Sequence, residues 1–245
     1  MRKFTPYWLL FVIPVVAVTA LATYSSKQQG KTDLAQQQLN FSSQFPIADY
    51  DASPPSLLDQ LKQRQARGQR YDGLGYVSPH SEVTTDSSHW ANGIPGLPVS
   101  MSDLVVAGLI MDSNAFLSND KGAVYSEFKT QIEETLFTRK NEQSSLKDEI
   151  TISRQGGRVR FSSGKTSLFY TGGQGMPRVS NRYVLFLKNL KGKDFEIITG
   201  YLLKDSHVVP LDHPGSGHPF TKYDGLDEAS FFIQIRAAVS SNNAK

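Results

Sequence analysis

The sequence predicts a mainly β protein: a small antiparallel β-barrel or sandwich with a C-terminal helix, preceded by an N-terminal hydrophobic helix and a long flexible arm. Three observations predict it. Short β-branched and aromatic runs recur between Asp103 and Leu211, each bounded by turn-forming residues. A single amphipathic stretch follows them. Before them, an apolar run opens the chain and a polar, loop-prone composition continues it. With 245 residues there is room for one medium domain plus an extension, and 39% hydrophobic residues suffice for a core. The chain has no cysteine, which excludes disulfides, thiol catalysis and thiolate metal sites.

Arg2 and Lys3 precede the run Tyr7 to Ala22, which is apolar except for Thr19 and the imino acid Pro14. Two readings compete. Ala20-Leu21-Ala22 satisfies the small-x-small rule for signal cleavage, whereas residues 7–24 make an 18-residue stretch of borderline length for a bilayer span. If the run is retained, Arg2 and Lys3 stay cytoplasmic and everything after Lys27 lies outside the inner membrane. If it is cleaved near Ala22, the domain is released there. Both readings place the protein in the cell envelope.

From Tyr24 to Asp51 the composition turns to Ser, Gln, Lys and Asn, as in a flexible tether. Pro54-Pro55-Ser56 then opens a short helix over 56–67, with Ser56 as N-cap, Asp59 in the first turn and Gly68 as the stop. Glycines and prolines punctuate Tyr71 to Pro98 without any period, so this stretch reads as a loop-rich arm lying on the domain. The expected divisions are therefore 1–22, 23–98 and 99–240.

Asp103 to Met111 reads as a buried strand ended by the turn-prone Asp112-Ser113-Asn114. Val124 to Glu134 has both helical and strand periods. The strand is preferred, because Tyr125, Glu127, Lys129, Gln131 and Glu133 then form one polar face opposite Val124, Ser126, Phe128, Thr130 and Ile132. Glu149–Arg154 and Arg158–Phe161 flank Gln155-Gly156-Gly157 as in a hairpin. Ser167–Tyr170, Arg182–Lys188, Phe195–Leu203 and His207–Leu211 supply further strands. Asp227 caps the terminal helix, whose Phe232, Ile235 and Val239 form a stripe with Phe231 and Ala238 beside it.

This order of elements resembles the OB-like or netrin-like barrels of exported bacterial proteins. The resemblance rests on Ser102 to Gly108, Tyr125 to Thr135, Gly156-Gly157 and Arg182 to Leu187, and it covers about Ser102 to Leu203. It implies the barrel fold and, by analogy, an accessory or inhibitory subunit of a secreted enzyme. Netrin-like protease inhibitors insert an N-terminal cysteine at the enzyme's metal. This chain has none, so that activity is not carried over.

Several motifs fail on inspection. Ser163-Gly164-Lys165-Thr166 looks like the end of a phosphate loop, but Val159 stands where its first glycine is required, and no helix follows. A turn is the better reading. Gly172-Gly173-Gln174-Gly175 lacks the third glycine of a dinucleotide loop, since Arg178 occupies that place. Asn40-Phe41-Ser42 matches a glycosylation acceptor, and no G-x-S-x-G elbow occurs. His207, Asp212, His213 and His218 form a loop cluster that could hold a metal for a hydrolase, and His80, Glu82, Asp86 and His89 form another. Neither has the helical spacing that fixes two imidazoles on one face. Glu133 and Glu134, as strand neighbours, should point to opposite faces and cannot serve one cleft. No cofactor is indicated.

Charge distribution is the surviving signal. Residues 139–193 carry twelve cations against three carboxylates, a net of +9; residues 23–138 carry eight against thirteen, net −5; residues 194–245 carry four against seven, net −3. Tyr125, Arg154, Arg158, Arg160 and Arg182 are the candidate contacts for an anionic polymer or lipid head group, or for a protein partner in the envelope. The competing expectation is that these cations pair with the acidic ends within the fold. The functional expectation is a non-catalytic binding or structural role, with the membrane as a further partner through residues 7–24 if they are uncleaved.

Overall fold

The computed structural model describes residues 43–75, 77–78, 83–86, 90–139, 148–191 and 194–243. The chain divides into two compact units, Met1–Ser43 and Gln44–Lys245, and apart from Ser43 the described residues belong to the second. The apolar run over 7–24 lies outside the described residues. Among those described, no helix is long and apolar enough to cross a membrane.

The described elements are β1 (Ile47–Asp49), α1 (Leu58–Gly68), β2 (Val83–Asp86), β3 (Leu104–Leu117), β4 (Val124–Thr138), β5 (Glu149–Gln155), β6 (Gly157–Arg160), β7 (Thr166–Thr171), β8 (Arg182–Lys191), β9 (Asp194–Lys204), β10 (His207–Pro210) and α2 (Glu228–Asn243). Strands β3, β4 and β5 form an antiparallel meander. β8 pairs with β3, and β9 pairs with β8 on one edge and, in parallel, with β5 on the other. The ring β3-β4-β5-β9-β8 therefore closes on itself, which removes free edges and gives the OB-like barrel that the strand spacing predicts. β10 extends the sheet beside the end of β9.

Alternation along these strands sorts the side chains into two cores. Val106, Phe128, Ile152 and Leu185 belong to one cluster. Val105, Ala107, Val184 and Phe186, from the alternate positions, pack with Phe231 and Ile235 of α2. The predicted cap of α2 is present, for Asp227 Oδ1 accepts the Ser230 N–H at 2.9 Å. Phe231, expected beside the helical stripe, is instead fully buried at its centre, while Phe232 and Val239 are only partly covered.

Four local expectations are corrected. β3 does not end at Asp112-Ser113-Asn114: the register shifts between Ile110 and Asp112, so Met111 is bulged and the strand continues to Leu117. Strands β5 and β6 do not form a hairpin. Gly156, at φ +114°, hands the chain from the barrel to a second sheet, where β6 pairs with β7 through the Ser163-Gly164 turn. Helix α1 begins at Leu58 without a side-chain cap, later than Ser56, and passes through Gly68 into a 3-10 turn at Gln69–Tyr71. The end of the expected tether is not free, for β1 pairs in parallel with β6 and Phe45 enters the barrel core, and the expected loop-rich arm contributes β2, which pairs in parallel with β7.

Candidate functional site

A wide groove among the described residues arises from a strand irregularity. Ala107 faces Glu134 across β3 and β4, and Gly108 faces Ile132, so Glu133 is an extra residue on β4. Gly108 allows this close approach, since a Cβ there would lie 2.6 Å from the Gln131 carbonyl oxygen. A regular strand would send Glu133 and Glu134 to opposite faces, as expected from the sequence. The bulge instead brings both to the wall of one groove, opposite the first turns of α2.

That groove has a volume of about 750 Å³, and its lining includes Glu133, Glu134, Arg182, Glu228, Ile233 and Arg236. Arg182 Nε donates to Glu133 at 2.9 Å and its Nη1 to Glu228 at 3.4 Å. Arg236 Nη2 donates to Glu134 at 2.9 Å. Asp227 also lines the groove, and its hydrogen bonds from the Ser230 side chain and backbone hold its carboxyl below the usual range. Three carboxylates thus share two guanidiniums, and a fourth, Asp227, stands beside them. Beside them Ile233 is 65% exposed, the highest value for a large hydrophobic among the described residues. Such a surface offers ion pairing and apolar contact together.

The residues expected to contact a partner are scattered. Only Arg182 lines this groove. Arg154 is buried and forks onto Asp212, with Nη1 at 2.6 Å and Nη2 at 3.1 Å, while its remaining bonds go to the carbonyls of Gly175, Ile197 and Ile198. Arg158 and Arg160 do share the outer face of β6, but Arg158 Nε donates to the Phe45 carbonyl and Arg160 forks onto Asp49. Tyr125, expected on a polar face, is fully buried.

The arm explains the burial of Tyr125. Tyr71 stacks on the Tyr125 ring at 4.4 Å and donates its hydroxyl to Ser153 Oγ at 3.0 Å. Arg67 reaches Glu127 at 2.9 Å and Asp194 at 2.8 Å, and Arg70 reaches Asp194 at 3.0 Å. Burial pushes the carboxyls of Glu127 and Glu196 up, and the Tyr125 hydroxyl well up. α1 and the turn that follows it therefore cover Tyr125 and Glu127 of β4, Ser153 of β5 and Asp194 of β9, while Lys129 and Gln131 farther along β4 stay exposed.

The predicted metal cluster is dispersed. Both Asp212 oxygens are engaged, by Arg154, by the Gly175 N–H and by the Thr199 hydroxyl. His207 Nδ1 lies 2.8 Å from the Asp205 carbonyl, His218 Nε2 lies 3.1 Å from the Ala91 carbonyl, and His213 is exposed. No three such side chains gather as metal ligands among the described residues. His80, Glu82 and His89 lie outside the described residues, as does the side chain of Asp86.

The sequence signal that could have found the groove is Gly108, because a glycine inside a strand pattern marks a bulge or a close backbone approach. Compared with known proteins, the chain matches no family model and no curated sequence.

Proposed function

We propose that the protein is an exported or membrane-anchored component of the cell envelope whose barrel has a non-catalytic binding role, exercised through the groove between the bulged β4 and α2. The apolar run behind Arg2 and Lys3 supports the location. The observation that carries the binding role is Arg182, held between Glu133 and Glu228 on an open surface beside exposed Ile233. OB-like barrels commonly use the outer face of their second and third strands for oligonucleotides or oligosaccharides. Here the part of that face around Tyr125, Glu127 and Ser153 is occupied by α1 and the turn after it, which favours the groove as the surface. An anionic polymer is disfavoured, because Arg154 is buried and Arg160 and Arg182 are already paired.

Two measurements test this reading. Fractionation of the native cells should find the chain with the envelope and open to protease once the outer layers are removed; recovery in the cytosol would reject the location. A photo-cross-linking residue in place of Ile233 should give a discrete adduct in intact cells, and one in place of Lys204 should not. Equal adducts from both positions would reject the groove.

A further inference from the structure

We infer that the groove takes a polypeptide segment carrying at least two cationic side chains around one apolar anchor, an inference that rests on the groove being the partner surface. Charge sets the sign. Arg182 divides its donors between Glu133 and Glu228, so neither carboxylate has a guanidinium of its own. Asp227 adds a fourth carboxylate, and the lining carries a net charge of −2 from four acids against Arg182 and Arg236. Glu133 and Glu134 remain 36% and 46% exposed, so an incoming ammonium or guanidinium gains charge-assisted hydrogen bonds without displacing the existing pairs. An anion would find both cations engaged and surrounded by acids.

The apolar anchor is required by the other half of the surface. Ile233 projects 65% exposed next to Phe232, over whose ring the Arg236 guanidinium sits at 5.7 Å. A bare cation leaves Ile233 wet, whereas a cationic segment with an aliphatic or aromatic residue between its charges covers it and removes apolar area from water. The volume of about 750 Å³ falls in the range of ~300–1,000 Å³ typical of ligand sites. A second copy of the chain is a poorer occupant, because face-to-face grooves would set −2 against −2.

The test uses the full chain and three fluorescent peptides of equal length: alternating Lys–Leu, alternating Glu–Leu and alternating Lys–Ser. The Lys–Leu peptide should bind, and the other two should bind at least about tenfold more weakly. Ile233→Asp and Glu134→Lys should each weaken Lys–Leu binding by about tenfold or more, with thermal unfolding unchanged because both positions are exposed. Glu–Leu binding as tightly as Lys–Leu would overturn the inference, as would Lys–Leu binding indifferent to Ile233→Asp. If the cross-link from position 233 persists while the Lys–Leu peptide fails to bind, the groove stands and the cationic chemistry falls. If the cross-linked species is a dimer of the chain, the second copy replaces the cationic segment.

Discussion

Arg154 occupies the same strand face as Ile150 and Ile152, both buried, and the period of β5 therefore carries its guanidinium inward. That placement was legible in the sequence, but grouping it with Arg158 and Arg160 by charge obscured it. Its partner was not legible, since Asp212 lies 58 residues away in a loop without period. Removing one member of a buried pair leaves the other charge uncompensated, so Arg154→Met should cost about 3–5 kcal/mol in urea unfolding. A loss below about 1 kcal/mol would show that Asp212 is satisfied by Thr199 and Gly175 alone. Glu196 makes the opposite case. Burial raises its carboxyl above the unfolded value, against the pull of Arg154 and Arg70, so the native state holds its proton more tightly than the unfolded chain does. That stabilisation is complete below the ordinary glutamate range and is lost as pH rises through the raised folded value. Glu196→Gln should therefore raise the melting temperature at pH 7, and the gain should vanish near pH 4. A gain of equal size at both values would mean that charge is not its source.

At the scale of elements, α1 is held mainly by polar contacts. Its most buried residue is Gly68, while Leu58 at its start is 62% exposed. Arg64 lies over the Phe116 ring at 4.7 Å and Arg67 bridges Glu127 and Asp194, both on the face turned to the barrel. Arg67→Ala should free the helix without unfolding the barrel. Trypsin cleavage after Lys62 and Arg64 should accelerate about tenfold, as expected from losing charged hydrogen bonds of roughly 1.5 kcal/mol, while β3 and β4 stay protected in hydrogen exchange. Loss of protection throughout would show that helix and barrel form one cooperative unit. The long strands were legible because each is an apolar, β-branched or aromatic run, as in Leu104–Ile110 and Tyr183–Leu187, or alternates in polarity, as in Val124–Ile132. β1 and β2 were not, because Ile47–Asp49 and Val83–Asp86 are too short to show a period and find their partners far along the chain. The Gln155-Gly156-Gly157 signal marks a passage between two sheets and not a hairpin turn, because glycine's freedom at positive φ serves either purpose and composition does not specify which strand comes next.

For the whole molecule, the blocks of −5, +9 and −3 meet as ion pairs between distant segments. Arg160 pairs with Asp49, Arg182 with Glu133 and Glu228, Arg154 with Asp212, and Arg139 and Lys188 with Asp103. Five cations of the central block, Arg139, Arg154, Arg160, Arg182 and Lys188, are thus engaged by carboxylates of the flanking blocks, which favours the expectation that competed with an anion-binding face. The exposed pairs contribute little each and are screened by salt. Accordingly the protein should pass through a heparin column with little retention at physiological ionic strength, and Arg158→Glu with Arg160→Glu should not change its elution. Strong retention abolished by that double substitution would restore the anionic partner.

The second sheet also fixes an order of assembly. β1 and β2 come early in the chain, yet their backbone partners β6 and β7 come late; Asp49 and Arg160, which face each other there, are 111 residues apart. During synthesis from the N-terminus, β1 has no backbone partner until the chain has grown past Arg160, and β2 has none until it has passed Thr171. Closing loops of that length is slow compared with hairpin formation in β3 and β4, so the two early strands join the sheet well after they are made.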